Sequence, residues 1–94
     1  MDSISHVSSF ELTNKVRNHE YEFLIRYFED NYADEDDYYD TLIWLGLTKN
    51  EIIEEEFDMV RRLLELLKTR LSNEDNMAKI LELESIFNWK YFDA

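Results

Sequence analysis

The chain has 94 residues and a formal net charge of −12, from 22 acidic and 10 basic side chains. That balance argues against direct binding to nucleic acid, which needs clustered Lys and Arg to neutralise phosphates, and against anionic membrane surfaces. It favours a basic protein partner that associates rapidly and in a salt-sensitive way.

Hydrophobic residues make up 45% and aromatic residues 15% of the chain. This is enough apolar material for a core and differs from a disordered acidic tail, which is poor in aromatics. There is one Gly and no Pro. Hairpins draw on residues with positive φ, so this composition favours helices joined by short polar loops. The absence of Cys rules out disulfides and thiolate metal sites. Met1–Val7 has neither a basic nor an apolar region of the kind a signal peptide needs. The longest apolar run, Leu42-Ile43-Trp44-Leu45, is far below the ~20 residues that span a bilayer. The expectation is a soluble cytoplasmic protein whose residues 1–94 form one all-α domain, a compact bundle of about four helices.

Residues 1–7 are expected to be an extended lead-in. Ser8 and Glu11 then have capping-box spacing. Leu12, Val16, Phe23 and Tyr27 could share a helical face, but no apolar residue fills that face at His19 or Glu20. Two pieces are expected, 9–18 and 20–31, either separate or as one bent helix. Asp34 or Asp36 can cap a third segment over 36–45, with Tyr38, Leu42 and Leu45 on one face. Gly46, just past this run, is expected to end the helix as a left-handed C′ residue.

Thr48 and Glu51 have capping-box spacing, and Leu47 and Ile52 have that of a hydrophobic staple. A long helix to about Leu71 is therefore expected. Its seam is Ile53, Phe57, Val60, Leu64, Leu67 and Leu71, widened by Ile52, Met59, Leu63 and Leu66. Ser72 and Asp75 can cap a last helix over 74–90, with Ile80, Leu83 and Phe87 as its stripe. Trp89, Tyr91 and Phe92 stand near its end. Most of Phe10, Phe23, Phe28, Phe57, Phe87, Trp44 and Trp89 are expected in the core.

Chemistry-bearing motifs are scarce. His6 and His19 lack partners at metal-ligand spacing. An EF-hand loop begun at Asp30 puts Glu35 where Gly is required and Thr41 where Glu is required. The serines have no nucleophile-elbow context, and no glycine-rich phosphate loop exists. Runs of solvated carboxylates do not provide the desolvated general acid that catalysis needs. The reading is a non-enzyme without metal or cofactor.

The stretch from Glu29 to Asp40 stands apart. Seven of its twelve residues are acidic, three are tyrosines and none is basic. Asp30, Tyr32, Asp34, Glu35, Asp36, Asp37, Tyr38, Tyr39 and Asp40 are the candidate partner-binding residues. Tyrosines among carboxylates suit a basic partner, as amphipathic anchors surrounded by charge. The alternative for Tyr38 is packing under its own helix with Leu42. Glu54-Glu55-Glu56 could extend the acidic surface or only match a helix dipole.

Tyr38-Tyr39-Asp40, within Asp34 to Asp40, resembles the adjacent tyrosines and flanking acids of the immunity proteins that neutralise nuclease colicins. The likeness covers this short stretch and is one of functional class. The proline that follows the tyrosine pair in that family is absent, as are the family's glycines. The resemblance implies a bacterial immunity protein that covers a basic toxin, in particular a nuclease. Two other classes fit acidity or helicity: a phage-type inhibitor that imitates DNA, such as an anti-CRISPR or anti-restriction protein, and an adaptor that offers the Ile53–Leu71 seam to another helix.

Overall fold

Where each helix starts and stops decides which side chains reach the surface. The computed structural model describes residues 8–92, with side chains to residue 87. The expected lead-in over 1–7, His6 and the side chains of Trp89, Tyr91 and Phe92 lie outside the described residues. Five α-helices follow in order: α1 (Ser9–Arg17), α2 (Tyr21–Asp30), α3 (Glu35–Leu47), α4 (Phe57–Arg70) and α5 (Glu74–Phe92). The class is all-helical as expected, with one helix more than the approximate count of four.

Helix α1 starts where its cap is placed: the Ser8 hydroxyl accepts from the Glu11 N–H at 3.2 Å. It ends in a Schellman arrangement. The His19 N–H donates to Val16 O at 3.0 Å and the Glu20 N–H to Lys15 O at 2.8 Å. His19 takes the left-handed position, with φ 61°, which disfavours a residue with a Cβ by about 1–2 kcal/mol. Its ring is held across the fold: Nδ1 lies 3.0 and 3.2 Å from the two carboxylate oxygens of Glu56. The apolar stripe therefore stops at Val16 and restarts at Tyr21, giving two helices and not one bent helix.

Helix α2 buries Tyr21, Leu24, Ile25, Tyr27 and Phe28. Tyr21, Leu24, Ile25 and Phe28 follow the i, i+3, i+4, i+7 spacing of one helical face. Helix α3 repeats that spacing with Tyr38, Thr41, Leu42 and Leu45. Gly46 does not end α3. It lies inside the helix without a positive φ. Thr48 closes the last turn, with both its N–H and its hydroxyl donating to Trp44 O at 2.9 Å. No left-handed residue is needed there.

The same bond removes the expected Thr48 capping box, because the Thr48 hydroxyl is engaged backwards. Lys49–Glu51 and Glu54–Glu56 form single 3₁₀ turns, and α4 begins only at Phe57. Ile52 and Ile53 between them are extended, so their side chains point to opposite sides. Ile52 enters the core and Ile53 faces solvent. With Leu47 also exposed, there is no staple. The Glu56 carboxylate accepts from the Ile53 N–H at 3.2 Å, which fixes this turn while the same carboxylate meets His19.

The rest of the α4 seam is as expected: Phe57, Val60, Leu64, Leu67 and Leu71 are buried, as is Leu63. Helix α5 is capped by Asn73, whose Oδ1 accepts from the Asp75 N–H at 2.7 Å, not by Ser72. Its stripe of Ile80, Leu83 and Phe87 is buried, with Phe87 against Phe57 at 5.3 Å. Helix α4 touches α2, α3 and α5, while α1 packs on α2 and α3. These buried side chains form one continuous core. Of the aromatics expected inside, Phe10 and Phe23 are exposed, Phe23 beneath the Lys15 ammonium at 4.5 Å. Trp44 is half-buried, with the Arg17 guanidinium 5.4 Å from its ring.

Tyr21 is fully buried, and its hydroxyl finds no hydrogen-bond partner among the described residues. Burial pushes this phenol well above its ordinary range, and the Glu56 and Glu51 carboxylates add to the shift. An unfolded tyrosine ionises near pH ~10. The stability tied to neutral Tyr21 is thus complete below that pH and is lost as pH rises above it. Tyr21→Phe removes an unsatisfied hydroxyl. It should leave stability unchanged or raise it by up to about 1 kcal/mol at neutral pH, and should move alkaline unfolding upward. Urea titrations at neutral pH and at about pH 10.5, just above the unfolded value, measure both effects. Gly46→Ala, in open space inside α3, should stabilise the folded monomer by about 0.5–1 kcal/mol, read as an upward shift of the urea midpoint at low protein concentration.

Candidate partner-binding site

The acidic stretch falls at the end of α2, along a short connection, and at the start of α3. Asn31 closes α2: its N–H and its Nδ2 both donate to Tyr27 O, at 2.9 and 3.0 Å. Asp34 occupies the N-cap position of α3 with extended backbone, though its side chain makes no capping bond. Glu35, Asp36 and Asp37 fill the first turn, where the positive end of the helix dipole favours acids.

Two side chains hold this connection against the bundle. Tyr38 turns inward, its ring 4.8 Å from Phe28 and its hydroxyl accepting from the Ala33 N–H at 2.8 Å. Arg70, at the end of α4, donates from Nη2 to Phe28 O at 2.9 Å. The Arg70 guanidinium also lies 4.2 Å from the centre of the Tyr32 ring, a cation–π distance. Tyr32 itself is 86% exposed.

The nine candidate residues separate into three groups. Asp30, Tyr32, Asp34, Glu35 and Asp36 are exposed around the connection. Tyr39 is 38% exposed and faces α5, its ring 5.6 Å from the Lys79 ammonium, while the half-buried Asp40 accepts from the Ser9 hydroxyl at 2.8 Å and ties α3 to α1. Asp37 and Tyr38 are buried, which corrects their expected place on a contact surface. The cause is helical spacing, since Tyr38 shares the inward face with Leu42 and Leu45. Of the Glu54-Glu55-Glu56 run, Glu54 and Glu55 are exposed, but Glu56 is engaged with His19 and Ile53.

Pairing decides the electrostatics more than counting does. Lys15 meets Glu20 at 3.2 Å, Arg26 meets Glu22 at 3.4 Å, Arg62 meets Glu29 at 3.6 Å and Lys68 meets Glu84 at 3.0 Å. Such surface pairs add little stability, yet they cancel charge locally. Asp30, Asp34, Glu35 and Asp36 have no such cation among the described residues. Solvated carboxylates without a nearby cation give this part of the surface a negative potential. They lack the desolvated setting that general acid catalysis uses. Among the described residues no group of three or more His, Asp or Glu side chains could hold a metal ion, and no helix is long and apolar enough to cross a membrane.

Arg70 is the contributor that sequence reasoning missed. At the C-terminal end of α4 an arginine reads as a match to the helix dipole, and nothing in local spacing ties it to Phe28 or Tyr32, 42 and 38 positions earlier. No protein-family model, curated protein or solved structure matches this chain. Tyr38→Phe keeps the ring but leaves the Ala33 N–H without its acceptor. It should cost about 1 kcal/mol and speed hydrogen exchange at the Ala33 amide, as measured by urea unfolding and amide-exchange NMR.

Proposed function

We propose that this protein is an immunity-type inhibitor, which binds a basic bacterial toxin domain in the cytoplasm and blocks it by covering its cationic face. A nuclease is the first candidate, because a surface that holds phosphates must itself be rich in Lys and Arg. The observation that carries this reading is the set of four exposed carboxylates, Asp30, Asp34, Glu35 and Asp36, which form no ion pair among the described residues and flank in sequence the exposed Tyr32, whose ring meets the Arg70 guanidinium. Long-range attraction would speed encounter. Tyr32 would provide the desolvated centre, where a tyrosine contributes most. Burial of Asp37 and Tyr38 takes both out of this contact, so the proposed surface is smaller than the acidic run and centres on Tyr32.

The rival readings make different demands. A DNA mimic needs unpaired carboxylates at phosphate-like intervals over an extended surface, whereas several acids on α2, α4 and α5 are paired with cations. An adaptor using the α4 seam needs that seam exposed, and from Phe57 to Leu71 it is interior.

The test is co-expression and binding with the basic toxin domain encoded beside this gene. The unaltered chain should protect growth and bind. The triple change Asp34→Asn, Glu35→Gln, Asp36→Asn should slow association by about tenfold or more at low salt, with much less effect at high salt. Tyr32→Ala should act mainly on dissociation. No protection and no binding, or full protection by the triple variant, would sink the proposal. Displacement of the chain by duplex DNA from a nucleic-acid channel would favour the mimic.

A further inference from the structure

Gly46 is the only glycine in the chain, and nothing inside the fold asks for it. It stands within α3 without positive φ, in a position where glycine weakens a helix. A Cβ built there would meet no atom within 4 Å. Gly46 lines a groove of about 270 Å³ between α3 and α5, walled by Ile43 and Leu47 on one side and Leu83 on the other. Leu47 is 66% exposed. Lys49, Lys79 and Glu82 supply the charged part of the lining. Lys49 and Lys79 form no ion pair among the described residues. Helical spacing puts Tyr39, Ile43, Gly46 and Leu47 along one side of α3.

We propose that this groove is the contact face between two copies of this chain, related by a two-fold axis, with α3 of each copy crossing at Gly46. Charge complementarity selects a second copy as the occupant. A two-fold contact sets a patch against itself, so the patch must be self-complementary. Here Lys79 and Glu82 lie one turn apart on α5, and each can pair with the other's counterpart across the axis. The net charge of −12 opposes approach of two copies, and that repulsion is least on the face where unpaired lysines stand. The apolar walls supply the driving force, and a residue without a Cβ lets the two helix backbones approach closely. The groove lies on the C-terminal half of α3, away from the acidic cluster at its N-terminal end. The inference therefore stands apart from the proposed inhibitor role.

Sedimentation equilibrium of the full chain, over a series reaching about 1 mM, where even weak contacts with millimolar Kd register, tests this directly. The 11.5 kDa monomer should convert to twice that mass as concentration rises, more readily at high salt. Gly46→Gln puts a long side chain into the groove from a Cβ position with no atom within 4 Å, and should weaken the dimer at least tenfold with an unchanged circular dichroism spectrum. Lys79→Glu and Glu82→Lys, both on the surface, should each weaken it alone, and an equimolar mixture of the two variants should restore it. A chain that stays monomeric at every concentration overturns the proposal. So does a dimer indifferent to Gly46→Gln and to the charge exchange.

Discussion

The contact of Tyr38 with Phe28 and Ala33 governs how the most charged part of this chain is displayed. Consecutive acids from Asp34 to Asp37 repel one another, and a free segment of that kind extends into solvent. Here the Tyr38 ring packs on Phe28 and its hydroxyl accepts from the Ala33 N–H, four residues beyond Glu29 and one before Asp34. Arg70 reaches from α4 to the Phe28 carbonyl on the other side. The connection between α2 and α3 is thus held at both ends of its short length, and the carboxylates around it have defined positions. Apolar burial of one tyrosine and one hydrogen bond do what a salt bridge would do elsewhere, without neutralising any charge.

That separation of tasks runs through the molecule. Cations on α1, α2 and α4 are matched to nearby acids, in pairs exposed enough to contribute little to stability. Stability comes from the interior stripes of α2, α3, α4 and α5, where leucine and aromatic side chains are removed from water. The His19–Glu56 contact is the exception with a structural purpose. It holds a left-handed, non-glycine residue at the corner between α1 and α2, and the same carboxylate fixes the turn before α4. One glutamate therefore sets the geometry of two chain reversals.

Much of the fold was legible because helical faces are local. The stripes of α4 and α5 and the break near His19 follow from spacing alone, and so does the cap at Ser8. Two of the errors share a cause: a residue able to serve two neighbours served the other one. Thr48 could cap forward or close backward, and it bonds Trp44 O, while Ile52 turns into the core from the extended segment that follows. That shift carries α3 through Gly46 and delays α4 to Phe57. Tyr38 could anchor a partner or pack inward; its spacing with Leu42 and Leu45 allows the inward place, and Phe28 on a different helix supplies the contact that fills it. Arg70 was invisible for the same reason, since its partners are long-range and spacing carries no record of them.

Helix α3 joins these themes, because its two ends differ in charge and polarity. Glu35, Asp36 and Asp37 meet the positive end of the helix dipole, which stabilises an acid there by about 0.3–1 kcal/mol. The helix thus offsets part of the repulsion in the cluster, while Glu35 and Asp36 form no ion pair among the described residues. At the other end the last turn carries no basic residue, and Gly46 and Leu47 present apolar surface with a helix-weakening residue in the middle. An alanine at 46 and a lysine among the acids would each help the isolated fold. Their absence at both ends is understandable if each end is completed from outside: the first by a cationic surface, the second by an apolar one.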